Sequence, residues 1–340
     1  MTNRYALRLV CILFIAVLVL ASDGSGAEST YTRKQLNALT YKELSKLVVS
    51  AAHRDDWKTV AELRKLSGAL TANTDKECAL YAACFCDDVK LARKLIEQGV
   101  SVNAIAPRQG TVLCGAVRGN SLKCIKLLID NGANINLYGK YGESENTSDR
   151  DFTPLETACR EGYVEAVKFL LDRKAKIDVN SSAGALHWAC ANTEAAAHWQ
   201  ARKSGIGNQN VIKLLVARGA DVNRSDRFGK TPLVFAIGTR GVDTVHVLLK
   251  KIDGVEINGQ FGSSKWTALH SAANGKSLLF TRMDRAEKDR RDVAIIKFLL
   301  SVGADPRLKD AAGRRPVDYA ENSQVKAMLR GAELRLNRKK

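Results

Sequence analysis

The chain has 340 residues, a length that favours about two domains of ordinary size. Its formal net charge of +17 favours acidic partners, anionic surfaces or nucleic acid, and carries no information about the fold. One apolar stretch stands at the N-terminus. No second stretch approaches the ~20 residues of a membrane-spanning helix, so no span is predicted beyond the first segment.

Residues 1–27 have the layout of a secretory signal peptide. Arg4 and Arg8 precede an unbroken apolar run of 12 residues, and small residues offer a cleavage site before Glu28. The run is shorter than an ordinary spanning helix. We therefore predict export, to the periplasm or out of the cell, with cleavage of this segment. An uncleaved N-terminal anchor is the alternative.

A polar, flexible lead-in is predicted over residues 28–40, followed by two helices. Apolar residues at helical spacing mark both helices between residues 41 and 66. Gly68 is placed to end the second helix in a left-handed conformation. The pair predicts a degenerate terminal unit of the kind that caps a stacked array.

Residues 151–178 introduce a unit that recurs along the chain. Thr153-Pro154-Leu155 opens a short helix, Gly162 breaks it, and a second apolar run at helical spacing follows before a polar turn. One such unit cannot bury its own apolar face, so it must stack on copies of itself. The copies begin at Cys78, Thr111, Thr153, Gly184, Thr231, Thr267 and Arg315.

Two segments show the pattern most clearly, Thr231-Pro232-Leu233 at the start of a unit and Gly219-Ala220-Asp221-Val222-Asn223 at the end of one. In these residues the chain resembles the ankyrin repeat family, and the resemblance covers residues 44–329. It implies an all-α repeat fold, an ankyrin-type α-solenoid of about eight stacked helix–turn–helix units with short hairpin fingers. We predict one array over residues 41–330, with capping units at both ends and a basic tail over residues 331–340.

Conformational requirements explain the residues at several repeat positions. A Thr at the start caps the first helix, and Pro in its first turn loses no useful N–H. Lys174 and Ile252 stand where other units have glycine, so the turns after them are predicted to be distorted. The glycines that end second helices with a positive φ are predicted to be Gly132, Gly219 and Gly303.

Three spacings between units exceed the ankyrin period and place insertions near residues 138–150, 193–209 and 276–291. The first is predicted to lengthen a hairpin finger. The second follows a first helix that is predicted to run on, and the third is charged and predicted to extend a second helix towards its N-terminus. Insertions in repeat arrays often lie on a functional face, although tolerated drift at the surface explains them equally well.

No catalytic or metal-binding constellation is predicted. His187 and His270 occupy the histidine position of the ankyrin pattern, which implies a structural hydrogen-bond pattern at the helix start. Cys84 and Cys86 lie two apart on a helix and point to nearly opposite sides, so both cannot easily bind one ion. We predict no metal, no cofactor and no enzymatic activity.

Seven cysteines remain after removal of residues 1–27. Export permits disulfides. However, Cys84, Cys159 and Cys190 fall at the same place late in the first helix of three units, where small apolar residues fill close helix contacts. They are predicted to be small buried hydrophobes.

The family implies that partners bind at the hairpin tips and on the concave face made by first helices. Aromatic residues and Arg are frequent interface anchors. Packing against the next finger is an equally good interpretation for Phe228 and Phe261. The candidate tip residues are Tyr138, Lys140, Tyr141, Arg227, Phe228, Lys230, Phe261, Lys265 and Trp266, and the candidate concave helix ends are Arg118, Arg160 and Arg240.

These patterns predict an exported, monomeric, non-enzymatic scaffold that binds an acidic protein partner through the tips and the concave face. The alternative is electrostatic binding to an anionic envelope polymer or membrane surface through the basic face and the tail over residues 335–340. Nucleic acid is a weaker form of that alternative, because an export signal takes the chain away from most of it.

Overall fold

The computed structural model describes residues 41–67, 74–106, 110–138, 152–179, 183–191, 206–239, 241–275 and 285–338. In these ranges there are sixteen helices and one two-stranded hairpin. The chain forms two compact units, residues 1–154 and 155–340, and each is described by itself. The predicted signal peptide, lead-in, Gly68 stop and most of the insertions lie outside the described residues.

The first unit contains three helix pairs and a short hairpin. The first helices of successive pairs pack side by side, and each pair packs on itself. In the hairpin, Ala106 lies opposite Gly110 in antiparallel register. The elements are α1 (Tyr41–His53), α2 (Trp57–Ser67), α3 (Asp75–Phe85), α4 (Val89–Glu97), β1 (Ile105–Ala106), β2 (Gly110–Thr111), α5 (Val112–Arg118) and α6 (Leu122–Asp130).

The second unit repeats this arrangement. From α9 onwards each first helix packs on the next first helix, and each second helix from α8 packs on the next second helix, which confirms the predicted helix–turn–helix stacking. The elements are α7 (Pro154–Glu161), α8 (Val164–Asp172), α9 (Ala185–Cys190), α10 (Ile206–Ala217), α11 (Pro232–Gly238), α12 (Val242–Lys251), α13 (Ala268–Asn274), α14 (Arg285–Ser301), α15 (Pro316–Tyr319) and α16 (Ser323–Asn337).

Small residues fill the close contacts between first helices. Cys84, Cys159 and Cys190 are fully buried, as predicted, and all seven cysteines of the described residues have free thiols. A hydrogen bond with Cys124 and burial together raise the pKa of the Cys84 thiol, and burial raises the pKa of Cys78 to about 12. The Cys84 and Cys78 thiols are therefore protonated and act as small apolar groups.

Threonine residues cap the N-termini of some first helices. One of these helices, α3, begins before its predicted position. Thr111 accepts the backbone N–H of Cys114 at 3.1 Å, as predicted. The sequence repeat that was predicted to start at Cys78 begins earlier, because Cys78 lies inside α3. Thr74 and Glu77 form a capping box one turn earlier, with each side chain accepting the other residue's N–H at 3.1 Å.

Left-handed residues end most second helices. Gly132, Gly219 and Gly303 have φ values of +84°, +88° and +99°, which confirms their predicted role. The prediction of a distorted turn after Lys174 is wrong. Lys174 adopts φ +63°, and its N–H donates to Leu171 at 2.9 Å in the pattern of the glycine turns. The turn keeps its shape although this conformation costs a non-glycine residue about 1–2 kcal/mol.

The turn after α12 departs from the common form, as predicted. Ile252 is extended, with φ −122° and ψ 119°, instead of left-handed. The positive φ occurs two residues later, at Gly254, with φ +79°. The left-handed turn is therefore moved two residues along the chain and is not removed.

The lengths of α9 and α14 test the predictions for the second and third insertions, and the length of α16 concerns the tail. The first helix before the second insertion does not run on, because α9 ends at Cys190 and the buried Ala191 is extended, with ψ 106°. In contrast, α14 is 17 residues long and begins at Arg285, about two turns before the usual start of a second helix, as predicted. The tail is helical as far as Asn337.

Candidate partner-binding surface

Asparagine side chains hold the hairpin connections of the second unit to one another. Asn223 donates through Nδ2 to the carbonyl oxygen of Gly254 at 2.6 Å and accepts the N–H of Glu256 at 2.9 Å. Asn258 makes the same pair of bonds one unit later, to Gly303 O at 3.1 Å and from Asp305 N at 2.8 Å. Each connection therefore has a fixed position relative to the next.

Aspartate side chains shape two of the tips. Asp226 accepts the backbone N–H groups of Phe228 at 2.8 Å and Lys230 at 2.7 Å. Asp310 accepts those of Ala312 and Arg314, both at 2.9 Å. An aspartate that bonds to N–H groups two and four residues ahead closes a tight turn. These tips are ordered before any partner arrives.

Three tips of the second unit form one continuous surface, and we call residues 226–230, 260–266 and 309–314 the fingertip ridge. A Cβ on Gly229 would lie 2.4 Å from the backbone N of Gly262, so the first two tips touch. Ser264 O accepts the N–H of Ala311 at 2.9 Å, which joins the second tip to the third.

The ridge exposes cations and withdraws its carboxylates. It contains five basic and two acidic residues. Of the acidic residues, Asp226 is half-buried and Asp310 is buried. Both carboxylates accept hydrogen bonds from backbone N–H groups. A hydrogen bond from the Tyr319 hydroxyl lowers the pKa of Asp310 and keeps it ionised. The cations are Arg227, Lys265, Lys309 and Arg314, which are exposed, and Lys230, which is half-buried.

Phe228 stands in solvent between two of these cations. Its side chain is 55% exposed, so it does not pack against the next finger. The Arg227 guanidinium lies 4.6 Å and the Lys230 ammonium 5.5 Å from the ring centroid, within cation–π range. An apolar ring flanked by positive charge suits a partner that combines carboxylates with an apolar side chain.

Phe261 and Trp266 serve partly structural roles. Their backbones pair with each other at 2.8 and 3.1 Å, and both side chains are half-buried. The Trp266 ring meets Tyr319 nearly edge-on, with centroids 4.9 Å apart, and lies nearly parallel to His270. The packing alternative therefore fits Phe261 better than Phe228.

The remaining predicted site residues belong to other segments of the chain. Arg118 is half-buried in the first unit and donates to the Tyr81 hydroxyl at 3.3 Å. Tyr138, also in the first unit, is 39% exposed. Arg160 is half-buried and pairs with its neighbour Glu161 at 3.1 Å. Lys140, Tyr141 and Arg240 lie outside the described residues.

Sequence reasoning missed two cations of the third tip. Lys309 and Arg314 are exposed, and Arg314 lies over the Tyr319 ring at 4.5 Å. A signal was present, because Asp310 and Gly313 precede Arg315-Pro316 at the same offsets at which Asp226 and Gly229 precede Thr231-Pro232. Sequence reasoning also missed the partly exposed Trp188, which meets Phe235 of the next first helix edge-on.

The two pattern histidines connect first helices to the ridge, which confirms their structural role. His270 Nδ1 accepts the N–H of Thr267 at 3.1 Å, and Nε2 donates to Arg314 O at 3.1 Å. His187 Nε2 donates to Lys230 O at 3.0 Å. Among the described residues, its Nδ1 has no hydrogen-bond partner.

We expect stability to fall as the pH drops below about 6.5. Burial lowers the pKa of His187 and His270 below that ordinary value, against an opposing effect of their bonds to carbonyl oxygens. The unfolded chain then binds more protons than the folded chain below pH 6.5, so stability is lost as the pH falls through the folded pKa values. Urea midpoints at pH 7.5 and 5.5 measure this. A double His187→Gln, His270→Gln variant with an unchanged pH dependence would contradict it.

A cavity between the first two tips, next to Phe261 and Thr231, measures about 80 Å³ and has room for water. Within the described ranges, His, Cys, Asp and Glu do not form groups of three or more able to hold a metal ion. Of the helices in those ranges, none is long and apolar enough to cross a membrane.

Stacked helix pairs with ordered fingertips define a helical repeat protein of the binding-scaffold class. The family model for ankyrin repeats in three copies matches residues 47–139 and 197–310, and the single ankyrin repeat model matches residues 150–182. The chain therefore belongs to the ankyrin repeat family. Ankyrin repeats indicate a protein-interaction scaffold with protein partners, and proteins of this family are generally non-enzymatic.

Solved structures and sequence relatives agree with this assignment. The human ASB11 ankyrin repeat domain superposes with a TM-score of 0.55 at 26% identity, covering 75% of this chain and 97% of that domain. The Bcl-3 ankyrin repeat domain gives 0.53 at 25% identity, covering 74% and 97%. The mouse (Mus musculus) B-cell lymphoma 3 protein homolog is 26% identical over 61% of this chain, and zinc finger CCCH domain-containing protein 56 of Arabidopsis thaliana is 39% identical over 34%. The matches span 39% and 14% of these two relatives.

Proposed function

We propose that the protein is an exported, non-enzymatic ankyrin scaffold that binds an acidic protein partner through the fingertip ridge. The observation that carries this proposal is the arrangement of charge on the ridge. Its carboxylates are tied to backbone N–H groups, whereas Arg227, Lys265, Lys309 and Arg314 face solvent. A partner with acidic side chains would meet these exposed cations.

Rigidity supports the same proposal. Binding loses free energy whenever loops must be ordered, so turns that are already fixed retain more of the contact energy. Asp226, Asp310 and the Gly229–Gly262 contact hold the tips before binding. The exposed Phe228 gives the partner an apolar contact beside the charges.

Affinity capture from the native envelope fraction, with mass spectrometry, tests the acidic partner. Capture should weaken as salt rises, because exposed ion pairs are screened. Arg227→Glu should weaken it about three- to tenfold at low salt, since one attraction becomes a repulsion. Arg93→Glu, the same charge reversal on an exposed residue of α4, is the matched control. Salt-insensitive capture, or equal losses in both variants, would contradict the proposal.

Trp266→Ala is also expected to weaken capture, but its stability must be measured alongside. Trp266 contacts Tyr319 and His270, so a loss of binding has meaning only at a temperature where the variant is folded.

Export rests on the layout of residues 1–27, and fractionation tests it. N-terminal sequencing of protein from the envelope or medium should begin near Glu28. A variant lacking residues 2–27 should stay in the cytoplasm. Full-length protein in the membrane fraction would favour the uncleaved anchor, and wild-type protein in the cytoplasm would remove the proposal of export.

Contact with an anionic polymer or membrane surface is the second candidate, favoured by α16. Leu334 is 60% exposed on this helix among the exposed Arg330, Arg335 and Arg338. An exposed apolar residue among cations suits an anionic interface. Pelleting with phosphatidylglycerol vesicles, compared between wild type and an Arg335→Glu, Arg338→Glu variant, tests it. Equal pelleting of the two would remove this candidate.

A further inference from the structure

The central tip of the ridge differs from its two neighbours at one backbone position. Gly229 and Gly313 lie two residues before the next helix cap and have φ values of +76° and +75°. Lys265 lies two residues before Thr267 and has φ +51°. A lysine therefore occupies the left-handed conformation for which both neighbouring tips use glycine, the residue without a Cβ penalty.

The surrounding backbone holds Lys265 in this conformation. Its N–H donates to Gly262 O at 3.1 Å, and its carbonyl oxygen accepts Gln260 Nε2 at 3.1 Å. The same Gln260 also donates to Lys309 O at 2.8 Å, on the third tip. The turn would keep these backbone bonds with glycine at position 265, so they do not explain the lysine.

The Lys265 side chain does not visibly stabilise the fold. Lys265 is exposed, and among the described residues no carboxylate pairs with its ammonium group. Its tip is also one residue longer than those beside it, counted from Phe261 to Thr267 and from Asp226 to Thr231, because the N–H groups of Phe261 and Asp226 make the equivalent closing bonds. Strained residues that persist without a structural reason cluster at binding sites.

We propose that Lys265 is a specificity-determining residue of the scaffold, whose ammonium group is presented at the middle of the fingertip ridge to a carboxylate of an acidic peptide segment. This inference rests on the proposed function. Lys265 lies between the cations of the first tip, Arg227 and Lys230, and those of the third, Lys309 and Arg314. A segment that runs along the ridge must pass it.

The chain supplies a matched control in Lys174. This lysine is also exposed, belongs to the second unit, and has φ +63° at the end of α8, away from the ridge residues in sequence. Lys174→Gly and Lys265→Gly each remove one positive charge and relieve one left-handed strain. They differ only in position.

Fluorescence anisotropy with a labelled oligoglutamate peptide at low salt is the test, with thermal unfolding of each variant. Both glycine variants should melt at higher temperature than wild type, because glycine relieves the strain. Only Lys265→Gly should weaken peptide binding, by about two- to fivefold, as expected for one exposed ion pair. Lys265→Arg should bind within about twofold of wild type.

The outcomes separate the inference from the proposed function. Wild-type protein that fails to bind oligoglutamate would overturn both. Wild-type binding that Lys265→Gly leaves unchanged, or that Lys174→Gly weakens equally, would overturn the role of Lys265 alone. A Lys265→Gly variant that melts lower than wild type would show that the lysine stabilises the turn, which also overturns the inference.

Discussion

Replacing Gly119 by alanine is expected to destabilise the first compact unit by about 3 kcal/mol, the upper part of the range for overpacked sites. Gly119 follows α5, and a Cβ there would lie 2.1 Å from the carbonyl oxygen of Phe85 and 2.7 Å from its carbonyl carbon. These are backbone atoms at the end of α3, so they cannot rotate away as a flexible side chain would. Urea unfolding followed by circular dichroism measures the loss.

Gly331→Ala is the matched control for this change. Gly331 lies inside α16, and nothing lies within 4 Å of a Cβ built on it. Alanine should stabilise the helix by about 0.5–1 kcal/mol, because glycine loses more backbone entropy on folding. The same chemical substitution is thus expected to have opposite signs at the two sites. A Gly119→Ala variant as stable as wild type would contradict the close approach of α3 and α5.

Replacing His270 by alanine is expected to cost about 3 kcal/mol and to loosen the third tip. His270 and Thr267 are almost completely buried, and truncation leaves the Thr267 N–H and the Arg314 carbonyl without their partner. A buried polar group left unpaired costs about 1–3 kcal/mol, and the vacated volume adds to the loss. The free energy of unfolding in urea at neutral pH measures the effect.

Two other histidines are controls for His270. His187→Ala should cost less, about 1–2 kcal/mol, because His187 makes one such hydrogen bond and its Nδ1 is already unpaired. His53→Ala should cost less than about 1 kcal/mol, because its hydrogen bond with Asp88 is at the surface. Equal losses in all three variants would contradict the special role of His270.

The hydrogen bonds of His270 and His187 also position the ridge. His270 bonds to Arg314, and His187 bonds to Lys230, so each histidine ties a first helix to a cation-bearing tip. Loss of either hydrogen bond should make the tip more mobile, so that more conformational entropy of the tip is lost when a partner binds. Substitutions of these histidines are therefore expected to lower both stability and partner affinity. Lys265→Gly, in contrast, is expected to lower affinity while raising stability.

Sequence pattern was sufficient for the fold because each unit uses the same short-range chemistry. Helical spacing, Thr111 as a cap and Gly132, Gly219 and Gly303 as left-handed ends were all predicted. The wrong prediction at Lys174 has a simple cause. The sequence shows that a lysine disfavours a positive φ, at a cost of about 1–2 kcal/mol. It does not show the packing on both sides of the turn, which outweighs that cost.

The candidate site was predictable only in part. The residues of the first two tips were named from the family pattern, but their exposure was not, and Phe228 and Phe261 looked alike. The structure distinguishes them because the Phe228 side chain is 55% exposed, whereas Phe261 is half-buried and pairs with Trp266 across its own turn. The burial of Asp310 beneath Tyr319 also depends on residues from different elements.

The sequence by itself determined the repeat class, the helix pairs and the excess of positive charge, since these follow from local spacing and composition. Only the tertiary structure decided which cations stand together in solvent and which carboxylates are withdrawn. The physical reason is that such groupings depend on contacts between units, as between Asn223 and Glu256, 33 positions apart. Those contacts arise from packing and hydrogen bonding, which no single repeat encodes.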